Sequence, residues 1–237
     1  MSASPSRGRL TTISLAGIAV FGALSAILTY LSQFLGLNFP LVPYLQFDLG
    51  EVAIVLSLFI FGPIPALVSS SVEFVTLLAI GQQVPVGPVL KLFAMVSTIA
   101  GIWLGIGLAS SIRRANMRNV FGLGTAFGAV VRAVVMTLPN YYVLVFLTTI
   151  PTVVTSLSSL FKLAGITLTD ANALVLVLGF TALFNVLQLL FVMAVSFAVL
   201  KVPQVNSLKI AGRHLWLMAI TQGPPEGAKV SIKKVGG

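Results

Sequence analysis

The chain has 237 residues, of which 57% are hydrophobic and only 8% charged, with a mean hydropathy of +1.07, whereas an ordinary soluble domain is about a quarter charged. Such a composition cannot cover a surface facing water, so it specifies an all-α integral membrane protein with the lipid bilayer as its solvent. The 14 basic and 5 acidic residues give a net charge of +9, but most of the cations lie in the tails and one loop rather than on a face, so nucleic acid is not an expected partner.

Several kinds of chemistry are excluded next. The chain has no Cys, which removes thiolate catalysis, disulfides and cysteine-bound metals. The single His, His214, lies in the polar C-terminal tail, out of reach of a metal or protease site within the bilayer. No Gly-rich loop ends in Gly-Lys-Ser or Gly-Lys-Thr, so the chain is not expected to hydrolyse ATP itself. No catalytic residue, metal ligand or cofactor is expected.

A span of the hydrocarbon core needs about 20 apolar residues. Apolar runs cover residues 13–34, 49–80, 89–110, 120–147 and 172–200. The second is too long for one helix and is broken by Gly62-Pro63-Ile64-Pro65, where two prolines remove backbone donors. It therefore reads as two short helices, 48–62 and 64–80, giving a six-helix membrane domain over 13–202. A tail of residues 1–12 precedes it and a basic tail, 203–237, follows. The first run exceeds the core of about 7–15 residues of a signal peptide, so it reads as a retained span. The tail stretch 210–220 is too short for a seventh span.

Six spans place Arg7 and Arg9, Arg113, Arg114 and Arg118, and Lys201, Lys209, Arg213, Lys229, Lys233 and Lys234 on one side. That side is the cytoplasm by the positive-inside rule, so both termini are expected there and the protein is expected to be multi-pass in the plasma membrane. The outer connections are then 36–47, 81–88 and 148–171, where a lid could form.

Polar groups inside spans are costly and mark function. Asp48 and Glu51 open the second span, and Glu73 lies near mid-depth in the third. Lys91 opens the fourth, and Arg132 sits near the middle of the fifth. Asn140, Tyr141 and Tyr142 lie in its outer half, and Asn185 and Gln188 in the sixth. Plain structural roles exist for each. Asp48 can cap its helix and Glu51 can favour the helix dipole. Lys91 can snorkel, Glu73 and Arg132 can pair, the tyrosines can anchor an interfacial belt, and the amides can bond between helices. Together they suit an outward-facing pocket lined by helices two to six, the first contributing none of these groups. The first span instead offers small residues at spacing four, Ala19-x-x-x-Ala23 and Gly22-x-x-x-Ala26. These suit either packing within the bundle or close docking of a partner.

Four stretches carry a family resemblance. They are Ala19-x-x-x-Ala23 followed by Leu24-Ser25-Ala26-Ile27-Leu28, Phe47-Asp48-Leu49-Gly50-Glu51 with Gly62-Pro63, Met136-Thr137-Leu138-Pro139-Asn140-Tyr141-Tyr142, and Leu183-Phe184-Asn185-Val186-Leu187-Gln188. In order and spacing the chain resembles the S component, the substrate-binding subunit, of an energy-coupling factor (ECF) vitamin transporter, especially the riboflavin-specific type. Gln188 stands where the riboflavin pattern has Lys, and Leu183 where it has Pro.

The resemblance implies a subunit that captures a vitamin, riboflavin foremost, from outside. A separate ECF transmembrane subunit and two ATPase subunits would then power uptake. It carries over Asp48, Asn140 and Asn185 as ligand contacts, and Ala19 and Ala23 as the docking surface for the transmembrane subunit. Depth and polarity add Glu73, Lys91 and Gln188, while Tyr141, Tyr142 or Phe184 could wall a flat ring. The alternatives are an S component for another vitamin or small molecule, and a self-sufficient secondary transporter coupled through Glu73.

Overall fold

The computed structural model describes residues 12–42, 45–81, 85–111, 116–147, 170–201, 209–210, 213–214 and 216–217. It is a bundle of six helices: α1 Thr12–Phe34, α2 Gly50–Phe61, α3 Pro63–Ile80, α4 Val86–Ser111, α5 Met117–Tyr142 and α6 Asp170–Lys201. A π-helical turn, Val143–Leu147, prolongs α5. The only strands among the described residues are Lys209–Ile210 and Arg213–His214, an antiparallel pair in the C-terminal tail.

Five of the helices are long and apolar enough to cross a membrane. The exception is α2, whose 12 residues rise about 18 Å at 1.5 Å each, short of the ~30 Å hydrocarbon core. It is also the most enclosed helix, with residues 50–55 and 57–59 all buried. A helix apolar on every side belongs in the interior, and here α1, α3, α4 and α6 pack directly against α2 while α4, α5 and α6 continue round it. The chain is an integral membrane helical bundle built on a short central helix.

Local sequence explains the main joints. Gly62 alone links α2 to α3, at φ 100° and ψ −179°, a conformation that disfavours any side chain, and Pro63 then starts α3 where its missing N–H is no loss. Asn116 caps α5 by accepting from the Asn119 N–H at 2.8 Å. Pro139 lies inside α5 just before the π-helical turn, and the Val143 N–H is shared between the Pro139 and Asn140 carbonyls.

The helix pair α4–α5 packs through glycines that the expectations above do not include. A Cβ on Gly101 would lie 2.7 Å from the Gly128 Cα, and one on Gly124 would touch Ile102. The motifs Gly101-x-x-x-Gly105 and Gly124-x-x-x-Gly128 thus bring two backbones together. On α5 the same stripe continues outward as Arg132, Met136 and Asn140, all buried. Spacing four therefore serves close packing at one end of the helix and polar chemistry at the other.

The main apolar core spans α2 to α6 and includes Phe59, Ala66, Met95, Ile102, Leu189 and Leu200. Leu217 of the C-terminal tail is fully buried in it, with Trp216 packed alongside. A Cβ on Gly62 would lie 3.2 Å from the Trp216 indole, so Trp216 covers the α2–α3 turn. Trp216 and Leu217, beyond residue 202, thus pack with the core of the helical bundle.

Candidate functional site

A cavity of about 370 Å³ opens at the end of the bundle where α1, α3 and α5 finish and α2, α4 and α6 begin. Its floor is polar. Lys91 forms ion pairs with Asp48 and, at 2.5 Å, with Glu73, and it also donates to the Thr29 hydroxyl. That hydroxyl lies 2.9 Å from Asp48 Oδ1 and 3.0 Å from Glu73 Oε1. Beside this cluster, Arg132 grips Glu51 with two parallel bonds, Nη1 to Oε2 at 2.5 Å and Nη2 to Oε1 at 2.7 Å. Its Nη1 also donates to Thr98 at 3.0 Å, and its Nε to Asn185 Oδ1 at 2.9 Å. Such a planar bidentate fork suits guanidinium and would not survive replacement by Lys.

The two networks divide the helices between them. The first joins α1, the start of α2, α3 and α4, and the second joins α2, α4, α5 and α6. Three of the five acids in the chain meet two bases here. Isolated charges would be prohibitive at this depth, but paired and hydrogen-bonded ones can be held.

The backbone entering α2 is non-helical, so its polar groups need partners inside the protein. Side chains supply them. Asp48 Oδ1 accepts from the Gly50 N–H at 2.7 Å and Ser32 Oγ from the Leu49 N–H at 2.8 Å. Gln188 meets the Asp48 backbone twice, accepting from its N–H at 3.3 Å and donating to its carbonyl at 2.8 Å. Ser25 Oγ donates to the Gly50 carbonyl at 2.8 Å. These bonds aim the Asp48 and Glu51 carboxylates from the start of α2, where the helix dipole favours negative charge.

The roof is apolar and aromatic. Residues 36–42 and 45–47 are tied together by a bridge between Asn38 and Gln46, and Leu45, Gln46 and Phe47 line the cavity. Phe39 and Val42 join a second apolar cluster with Leu144, Val177 and Phe184. Phe47 and Phe184 line the cavity with ring centroids 5.1 Å apart, and Phe39 stands behind them. The connection 148–169 lies outside the described residues.

Of the residues expected at a site, Asp48, Lys91, Asn140 and Asn185 line the cavity, as does Phe184. Asn140 donates to the Met136 carbonyl at 2.7 Å, and its Oδ1 has no hydrogen bond within the described residues. Asn185 is committed on both sides, to Arg132 and to the Thr181 carbonyl. Glu73 and Gln188 lie behind the wall and support Lys91 and Asp48.

Tyr141 is 44% exposed and Tyr142 56% exposed, stacked with Phe146 on the outside of the bundle, so neither walls the pocket. The reason is the 100° step between neighbouring helical residues: with Asn140 turned inward, Tyr141 points away. The suggested Glu73–Arg132 pair does not form either, since each has a different partner. Lys91 does not snorkel, because its side chain is only 12% exposed.

The first helix is not a bystander, since Thr29, Ser32 and Gln33 line the cavity. Hydroxyls repeated along α1 at Ser25, Thr29 and Ser32 are the signal that points to them. Gly22 and Ala26 are buried within the bundle, whereas Ala19 and Ala23 are exposed on the opposite face.

No protein-family model matches the chain, and no curated protein does. A solved structure described as the S component of a bacterial ECF transporter is similar in fold, with a TM-score of 0.57 over 78% of this chain and 92% of that one, at 20% sequence identity. The chain is therefore a multi-pass membrane protein with the fold seen in that transport subunit.

Proposed function

We propose that this chain is the substrate-binding membrane subunit of an ECF-type importer. It captures a vitamin, with riboflavin as the first candidate, from outside the cell. A transmembrane partner and two ATPase subunits energise uptake. The observation that carries the reading is the cavity that opens at one end of the bundle. It combines aromatic and aliphatic walls with a few directed polar groups, the usual make-up of a small-molecule site. A fold shared with an ECF transporter S component supports it.

In this reading residues 45–47 cover the ligand, Phe47 and Phe184 together form one wall against its ring, and Asn140 Oδ1 accepts from its polar edge. Asp48 and Lys91 present a charged pair beside it. The exposed Ala19 and Ala23 form the flat strip against which the transmembrane partner packs.

The test is reconstitution of the chain alone in lipid vesicles, with labelled riboflavin outside. The expected outcome is saturable binding without accumulation inside. Accumulation driven by a proton gradient and lost in Glu73→Gln would instead establish a secondary transporter.

A further inference from the structure

The charges around the cavity define the class of ligand more narrowly than its volume does, and this deduction rests on the cavity being a substrate site. Among the described residues, the charged side chains lining it are Asp48, Glu51, Lys91 and Arg132. Each base is already engaged. Arg132 spends both terminal nitrogens on Glu51, its Nη1 also reaching Thr98, and its Nε on Asn185. Lys91 is divided between Asp48 on the wall and Glu73 behind it. Three carboxyl groups thus meet two bases, and among the described residues no positive charge is left over for a ligand.

We infer that the cavity takes uncharged or cationic ring compounds and rejects their anionic derivatives. A phosphate or carboxylate entering here would meet no uncommitted base among the described residues. It would have to take Lys91 or Arg132 from a buried carboxylate, leaving that group without its partner in a low-dielectric interior. An uncharged ligand breaks neither pair and needs only Asn140 Oδ1, the ring walls of Phe47 and Phe184, and the polar rim at Ser32, Gln33 and Gln46. Like-charge juxtaposition is a common way of excluding a close analogue.

Matched pairs of compounds that differ by one anionic group test this. Purified protein in detergent is titrated with riboflavin and flavin mononucleotide, nicotinamide and nicotinate, pyridoxal and pyridoxal phosphate, and thiamin and thiamin pyrophosphate. Dissociation constants are read by calorimetry. In whichever pair binds, the uncharged or cationic member is expected to bind at least about tenfold tighter than the anionic one, a difference of about 1.4 kcal/mol. In Glu73→Gln, which removes the third carboxyl group, that ratio falls.

Equal or tighter binding of an anionic member overturns the charge rule and leaves the substrate site standing. Binding of no compound in any pair, by protein shown to be folded, overturns the site itself and the rule with it. The wild-type ratio decides the question even if Glu73→Gln does not fold.

Discussion

Removing Arg132 is the sharpest test of how the bundle is held together. Arg132→Met deletes the two bonds to Glu51 at 2.5 and 2.7 Å and those to Thr98 and Asn185. It also strands the Glu51 carboxylate, whose side chain is 4% exposed. Breaking a buried pair from one side costs about 3–5 kcal/mol, chiefly because the remaining charge has no partner. That is roughly a hundredfold to several-thousandfold in the folding equilibrium.

If the stranded charge is the cause, neutralising it restores stability. The double variant Glu51→Gln, Arg132→Met is expected to recover at least about 2 kcal/mol, since uncharged replacements of buried pairs are often close to neutral. Equilibrium unfolding in mixed micelles, followed by the fluorescence of Trp103 and Trp216, measures both variants. A double variant as unstable as the sum of the two single changes would refute the reasoning.

Other expectations follow from packing. Gly101→Ala places a methyl group 2.7 Å from the Gly128 Cα and is expected to cost about 1–3 kcal/mol. Gly107→Ala on the same helix meets nothing within 4 Å, so it is expected to be neutral or to gain up to about 1 kcal/mol by helix propensity; the same unfolding assay compares them. Leu217→Ala is expected to cost about 2–5 kcal/mol, because Leu217 is fully buried in the main core. A loss under about 0.5 kcal/mol would show that the tail is not part of that core.

Helix positions were legible because they depend on runs of apolar residues, which the bilayer requires. The expected 13–34, 64–80 and 172–200 fall within two residues of the observed ends of α1, α3 and α6. The pairing of charges was not legible. Position along a span gives depth but not azimuth, and Glu73 and Arg132, both near mid-depth, face different neighbours. Azimuth also separates Asn140 from Tyr141. The packing of Trp216 and Leu217 was not legible, because the apolar run 215–220 is too short for a span and gives no signal of which helices it meets. The α4–α5 contact, by contrast, was written in two Gly-x-x-x-Gly motifs and could have been read.

The central claim is that the cavity lined by Phe47, Lys91 and Asn140 binds a vitamin, and one titration addresses it most directly. Riboflavin fluorescence is followed as purified wild-type protein or Asn140→Ala is added. The account predicts one-to-one quenching by the wild type and at least about tenfold weaker binding by Asn140→Ala. That variant should unfold within about 1–2 kcal/mol of the wild type, since it loses only the bond to the Met136 carbonyl. Quenching that is undiminished in Asn140→Ala would place the ligand elsewhere. Folded wild-type protein that binds neither riboflavin nor any compound of the matched pairs would contradict the account.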